Sequence, residues 1–155
     1  MSTPIVEYIA ANIATAISAI TTGNGFNQTL TAVRPTRVDW QDVTPENNMV
    51  LIVQEDDSPA SETHSPTALW VQTFVLGALV YDSKDAGTAL DTRRNQVRSD
   101  IRKKLMEDRT RGGYAFNTII TGSANMEDEE GLNIGVIVTV DVHYRILTND
   151  PYTKG

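Results

Sequence analysis

Four consecutive acids, Glu127-Asp128-Glu129-Glu130, form the densest set of potential ligands or proton carriers in this 155-residue chain. A calcium loop needs oxygen ligands at alternating positions, a glycine placed for the sharp turn and a distal bidentate glutamate, and that spacing is missing here. The tip of a solvated hairpin, or an acidic contact with another protein, accounts for the run without an ion. A divalent-metal-dependent hydrolase built on Glu127 to Glu130 is the enzymatic alternative. The two histidines add little: His64 lies in a Ser/Pro-rich stretch. His143 alternates with Asp141 and Arg145, where cross-strand salt links are the ordinary role and general acid-base chemistry the unusual one. No G-x-S-x-G, H-E-x-x-H, P-loop or dinucleotide fingerprint occurs. Gly112-Gly113 reads as a turn, not a phosphate cradle. The sequence thus assigns no catalytic, cofactor-binding or metal-ligating residue, and no cofactor.

The basic residues are better organised. Of 13 Lys and Arg, eight fall between positions 93 and 111, although the chain as a whole carries a net charge of -7. On a helix, Arg94, Arg98 and Arg102 follow at four-residue spacing and make a guanidinium ridge beside an apolar stripe. Such a ridge can be a solvated face paired with Asp91 and Asp100. It can equally meet the acids of a neighbouring copy, since separated acidic and basic patches complement each other head to tail. Nucleic-acid binding fits less well, because the molecule is acidic overall and aromatic interleaving is missing. Cysteine is absent, which excludes disulfides and thiolate zinc sites. No apolar run approaches the roughly 20 residues of a membrane span, and no basic leader precedes an apolar core. A soluble protein made in a cytoplasm, with no membrane partner, is expected.

The elements that position these residues follow from periodicity. From Ile134 to Ile146 every second residue is apolar, which makes a strand with one buried face. Leu69 to Tyr81 is rich in β-branched and aromatic residues on both faces and reads as a central strand. Ile5, Ile9, Ile13, Ile17 and Ile20 predict a helix over about 4–21. Leu90, Val97, Ile101 and Leu105 predict a second over about 86–106. Shorter strands are expected between Phe26 and Arg37, over Met49–Val53 and from Thr118–Thr121. Glu55 to Pro66 reads as a long mobile loop, and Asn149-Asp150-Pro151 as the end of ordered structure. The expected fold is α+β over one domain, 1–155: a two-layer, mainly antiparallel sheet covered on one face by two helices, in the order α-β-β-β-α-β-β.

In order and phrasing the chain resembles the tail terminator and minor tail (tail-completion) proteins of long-tailed bacteriophages. The likeness runs from the N-terminal helix through Leu30-Thr31-Ala32-Val33-Arg34-Pro35 and Met49-Val50-Leu51-Ile52-Val53 to the Asp91-to-Met106 helix. It continues with Gly112-Gly113-Tyr114-Ala115, Val140-Asp141-Val142-His143-Tyr144-Arg145 and Asn149-Asp150-Pro151-Tyr152. The resemblance implies a structural virion protein of the tail or neck, assembled in the host cytoplasm, without catalysis or cofactor. Its subunits form a six-membered homohexamer ring that caps the tail tube, stops its polymerisation and joins it to the head connector. Its partners are then itself, the tail tube protein and the head-tail connector protein, with DNA only as transiting cargo. A position as a head-tail connector component is the alternative. Arg94, Arg98, Arg102, Glu127, Asp128, Glu129 and Glu130 are the candidate subunit interface. Glu55, Asp56, Asp57 and Glu62 are candidates for the lumen or a partner contact.

Overall fold

Isoleucine at every fourth position builds one face of a helix. In a computed structural model, which describes residues 2–35, 48–60, 66–80, 89–127 and 134–155, Ile5, Ile9, Ile13 and Ile17 form the buried stripe of α1, Ile5–Ser18. Pro4 opens the helix, its fixed φ suiting that position, and its carbonyl accepts the Glu7 and Tyr8 amides. The helix ends at Ser18, not near 21, because Thr21 is extended and its hydroxyl caps a 3-10 turn at Thr22–Asn24. Gly25, at φ +86°, then turns the chain in a conformation that disfavours a Cβ. That turn delivers Phe26 and Leu30 to the core. The second helix, α2, spans Leu90–Glu107 and buries Val97, Ile101 and Leu105. Its expected first turn at 86–88 lies outside the described residues.

Six strands follow the chain: β1 (Thr31–Val33), β2 (Met49–Pro59), β3 (Thr67–Leu79), β4 (Asn117–Glu127), β5 (Ile134–Leu147) and β6 (Asp150–Lys154). They form one curled sheet in the order β1-β2-β3-β5-β4, with β6 also on β5. Every pairing is antiparallel except β1 with β2, so the sheet is mixed. The α+β class holds, and the order gains a strand: α-β-β-β-α-β-β-β. On β5, Val136, Val138, Val140, Val142 and Tyr144 are buried while Thr139, Asp141 and His143 are partly exposed, as strict alternation requires. The buried row packs with Phe74, Leu76 and Ala78 of β3 and the apolar stripes of both helices in one core. On the opposite face, Met49, Leu51 and Leu79 form a smaller cluster with Val33 and Met126.

Two expectations are corrected. Glu55 to Pro59 is not part of a loop, because β2 continues through it and Asp57, Ser58 and Pro59 pair with Gln72, Val71 and Trp70. Polar composition there reports exposure on both faces, and a backbone ladder can form without apolar side chains. The rest of the expected loop, 61–65, with Glu62 and His64, lies outside the described residues. Ordered structure also does not end at Asn149-Asp150-Pro151. The Asp150 carboxylate accepts the Tyr152 amide and the Thr153 hydroxyl, and β6 returns along β5.

β3 occupies one edge of β5 from Gly135 to Leu147, so β4 and β6 share the other. They lie end to end along it, with the Phe116 amide donating to the His143 carbonyl and the Gly155 amide to the Arg145 carbonyl. Each outer strand carries one extra residue beside the same row, Gln54–Phe74–Val140–Ile120: β2 between Gln54 and Asp57, β4 between Ile120 and Gly122. Bulges bend the bulged strand and raise its twist. The buried Gln72 amide holds the β2 bulge, donating to the Glu55 carbonyl at 2.6 Å and accepting from Gln54 Nε2 at 3.2 Å.

Candidate assembly surface

The arginine ridge is engaged within the chain. Arg94 Nη2 donates to Glu127 Oε1 at 2.9 Å and to the Met126 carbonyl at 3.3 Å. Arg98 Nη2 donates to Asn125 Oδ1 at 2.7 Å, and Arg102 Nη2 to Ser123 Oγ at 2.7 Å. The match is metric: four residues of helix rise about 6 Å, and two residues of strand about 6.8 Å. Positions i, i+4, i+8 of α2 therefore keep step with j, j−2, j−4 of β4. The ridge serves as a one-sided ladder that straps β4 to α2, and Glu127 is one of its rungs. Asp128, Glu129 and Glu130 lie outside the described residues.

Asp100, a partner suggested by helical spacing, points elsewhere. It is buried and accepts Asn27 Nδ2 at 3.0 Å and the Gln28 amide at 2.9 Å, tying α2 to the segment ahead of β1. Asp91 accepts the Thr92 amide at the start of α2. The cross-strand salt links expected around His143 are also replaced. Asp141 accepts the Thr73 hydroxyl at 2.6 Å, and the Arg145 guanidinium sits 4.9 Å over the Phe116 ring.

At the far end of α2, Arg111 is 1% exposed at a positive φ of 50°. Its Nη2 donates to the Leu105 carbonyl at 2.6 Å and to the Asp108 carbonyl. A cation on the last carbonyls suits the negative end of a helix. Burial pushes the Arg111 guanidinium below its ordinary value, with Asp108 acting in the opposite direction. The Thr110 hydroxyl, followed by the Gly112 amide, holds the Asp108 carboxyl below its usual range. Beside them an open cleft of about 220 Å³ runs between α1 and α2, lined by Asn12, Thr15, Lys104, Glu107 and Arg111 among others. Lys104 and Glu107 pair along its α2 wall, one helical turn apart, at 2.8 Å. Cations and carboxylates alternate on its walls, so it offers no site of one sign.

The edges of the sheet are more distinctive. Glu55, Asp56 and Asp57 are exposed on the outer half of β2, beyond Met49–Leu51 where β1 pairs. At the opposite edge, Asn117 to Met126 contains no charged residue in a chain that is 21% charged, and only Glu127 ends β4 with a charge. Phe116 is 61% exposed, Ile119 42% and Tyr152 47%. Three of the four exposed large apolar side chains of the described residues thus sit on the β4–β6 edge. Exposed Arg102, Arg109 and Arg145 flank it: Arg102 bonds Ser123, the Arg109 carbonyl accepts the Thr118 hydroxyl, and Arg145 covers Phe116. Sequence reading missed this edge, although the charge-free run was the signal that could have found it.

Among the described residues no group of three or more His, Cys, Asp or Glu could hold a metal ion, and no helix is long and apolar enough to cross a membrane. The chain matches no protein-family model, and a search of curated proteins gives no match.

Proposed function

We propose that the chain is a structural virion protein, a tail terminator whose copies form a homohexameric ring on the end of the tail tube. The ring stops tube polymerisation and offers its other side to the head connector. The observation that carries this reading is the polarity of the sheet. Acids line its β2 edge, and arginines flank its β4–β6 edge. A subunit with unlike, complementary edges makes heterologous contacts, and these close into a ring when the rotation between copies allows. Arg94 is neutralised by Glu127, whereas Arg98 and Arg102 bond the neutral Asn125 and Ser123, so within the expected interface set these two keep a positive charge that a neighbour's acids can answer. Acids facing a lumen would repel transiting DNA and keep it from sticking. In this reading the product is geometry, with no substrate turned over and no cofactor required.

The test is polymerisation of tail tube protein with and without this chain, followed by electron microscopy and native mass measurement. Tubes ending in a ring of six copies and ceasing to grow are the expected result. A chain that stays monomeric beside tubes that keep lengthening overturns the proposal.

A further inference from the structure

A strand at the end of a sheet leaves a row of backbone donors and acceptors unpaired, and folded proteins guard such edges with charge, proline or brevity. Three of the four outer segments among the described residues are guarded. β1 is only three residues long, the outer half of β2 carries Glu55, Asp56, Asp57 and a terminal Pro59, and β6 has five residues with Asp150, Pro151 and Lys154 among them. β4 is the least guarded: eleven residues long, it closes the sheet order with only β5 beside it among the described residues, has no charge before Glu127, and bends only at the bulge between Ile120 and Gly122. Beyond that bulge its helix-facing side chains are strapped down by α2, so the edge is held in place and presented.

We infer that this edge is a strand acceptor, and that its occupant is the outer half of β2, residues Gln54 to Pro59, of a second copy. The inference rests on the ring reading above and specifies how neighbouring copies join. Three observations select that occupant. First, the charges complement: Glu55, Asp56 and Asp57 would approach an edge flanked by Arg102, Arg109 and Arg145. Second, the directions fit. β2, β3, β5 and β4 are successively antiparallel, so β2 and β4 run oppositely, and copies sharing one orientation around an axis bring them together as an antiparallel pair. Third, the heights fit, because Asp57, Gln72, Val142 and Thr118 occupy one row across the sheet. The free half of β2 therefore stands level with the start of β4. Main-chain bonds would supply the affinity of such strand addition, and flanking side chains the specificity.

The absence of cysteine makes a direct test available. A Thr121→Cys chain is mixed under mild oxidation with tagged chains carrying Gln54→Cys, Glu55→Cys or Asp57→Cys. The expected result is a disulfide-linked heterodimer with a maximum at one β2 position. It should be lost when Ile119→Glu, a substitution at an exposed position that sets a like charge against Glu55, Asp56 and Asp57, is added to the β4 chain, with the far-ultraviolet spectrum measured to confirm that the chain still folds. No heterodimer at any β2 position, or one indifferent to Ile119→Glu in a folded chain, overturns the inference. The same variants applied to tail tubes separate the two proposals. Capped tubes without the disulfide leave the ring standing and remove the strand pairing. A disulfide without capping does the reverse.

Discussion

Arg94 and Glu127, 33 residues apart in sequence, meet at 2.9 Å with unequal exposure: the arginine side chain is 10% exposed and the glutamate 62%. The pair should therefore respond unequally to truncation. Arg94→Ala withdraws a largely buried donor from the Met126 carbonyl as well as from Glu127, and should cost about 1–3 kcal/mol. Glu127→Gln removes only an exposed charge and should cost about 0–1 kcal/mol. Urea unfolding of both variants checks this, and equal losses would contradict the assignment of Arg94 as the anchor.

Asp100 joins α2 to the segment before β1 through two acceptor oxygens. Asp100→Ala leaves the Gln28 amide without its acceptor and should destabilise by about 1–3 kcal/mol. Asp100→Asn keeps one oxygen and should cost less. Hydrogen exchange at the Gln28 amide is the sharper readout, since it should accelerate in the alanine variant more than amides in β5 do.

Gly135 is required by close approach. A Cβ there would stand 1.9 Å from the Ala78 carbonyl oxygen and 3.1 Å from Met126 Cε. Gly135→Ala must push β5 from β3 at the row where Leu79 and Met126 meet across the glycine, and should cost about 1–3 kcal/mol or more. Thermal unfolding measures it. Gly122→Ala in β4, where nothing lies within 4 Å of an added Cβ, is the control and should stay near wild type.

Stability should fall at both pH extremes for separate reasons. The Tyr144 phenol is pushed up to about 12 from an ordinary 10.0, by burial first and the Asp57 charge second. Its neutral form is favoured in the folded chain, so its contribution is full below 10.0, declines as pH rises and is gone above about 12. Tyr144→Phe should flatten that alkaline slope, and Asp57→Asn should move tyrosinate absorbance to lower pH. Asp108 has the opposite sign: its carboxyl is held below the ordinary 3.8, so its contribution is present above that value and lost as pH falls through the lower one. Asp108→Asn should flatten the acid limb of urea midpoint against pH.

What could be read from the sequence was whatever a local period encodes. The alternation of Val136 to Tyr144 and the fourfold isoleucines of α1 fix which side of each element is buried, and both hold. Polarity misled at Glu55 to Pro59, because an exposed ladder and a loop share one composition. The partners of Arg94, Arg98 and Arg102 were not legible either. Helical spacing reveals the ridge, but the acceptors come from a strand 21 to 33 residues away that has its own period. Asp100 shows the same limit, since its partners lie 72 and 73 residues back and no neighbouring position announces them.

The extra residue in β4 between Ile120 and Gly122 sets an odd-even parity on which the whole strap depends. Because of it, Ser123, Asn125 and Glu127 stand beneath the helix, opposite Val138, Val136 and Ile134. Ironing out the bulge while Thr121 is kept, so that Thr121 faces Thr139 and Gly122 faces Val138, would turn the rest of the strand over. Gly122, Ala124 and Met126 would then lie under three guanidiniums, where a hydrogen, a methyl and a thioether give them almost nothing to hold. A slip of one residue would unfasten a helix from a strand without touching either set of bonding side chains.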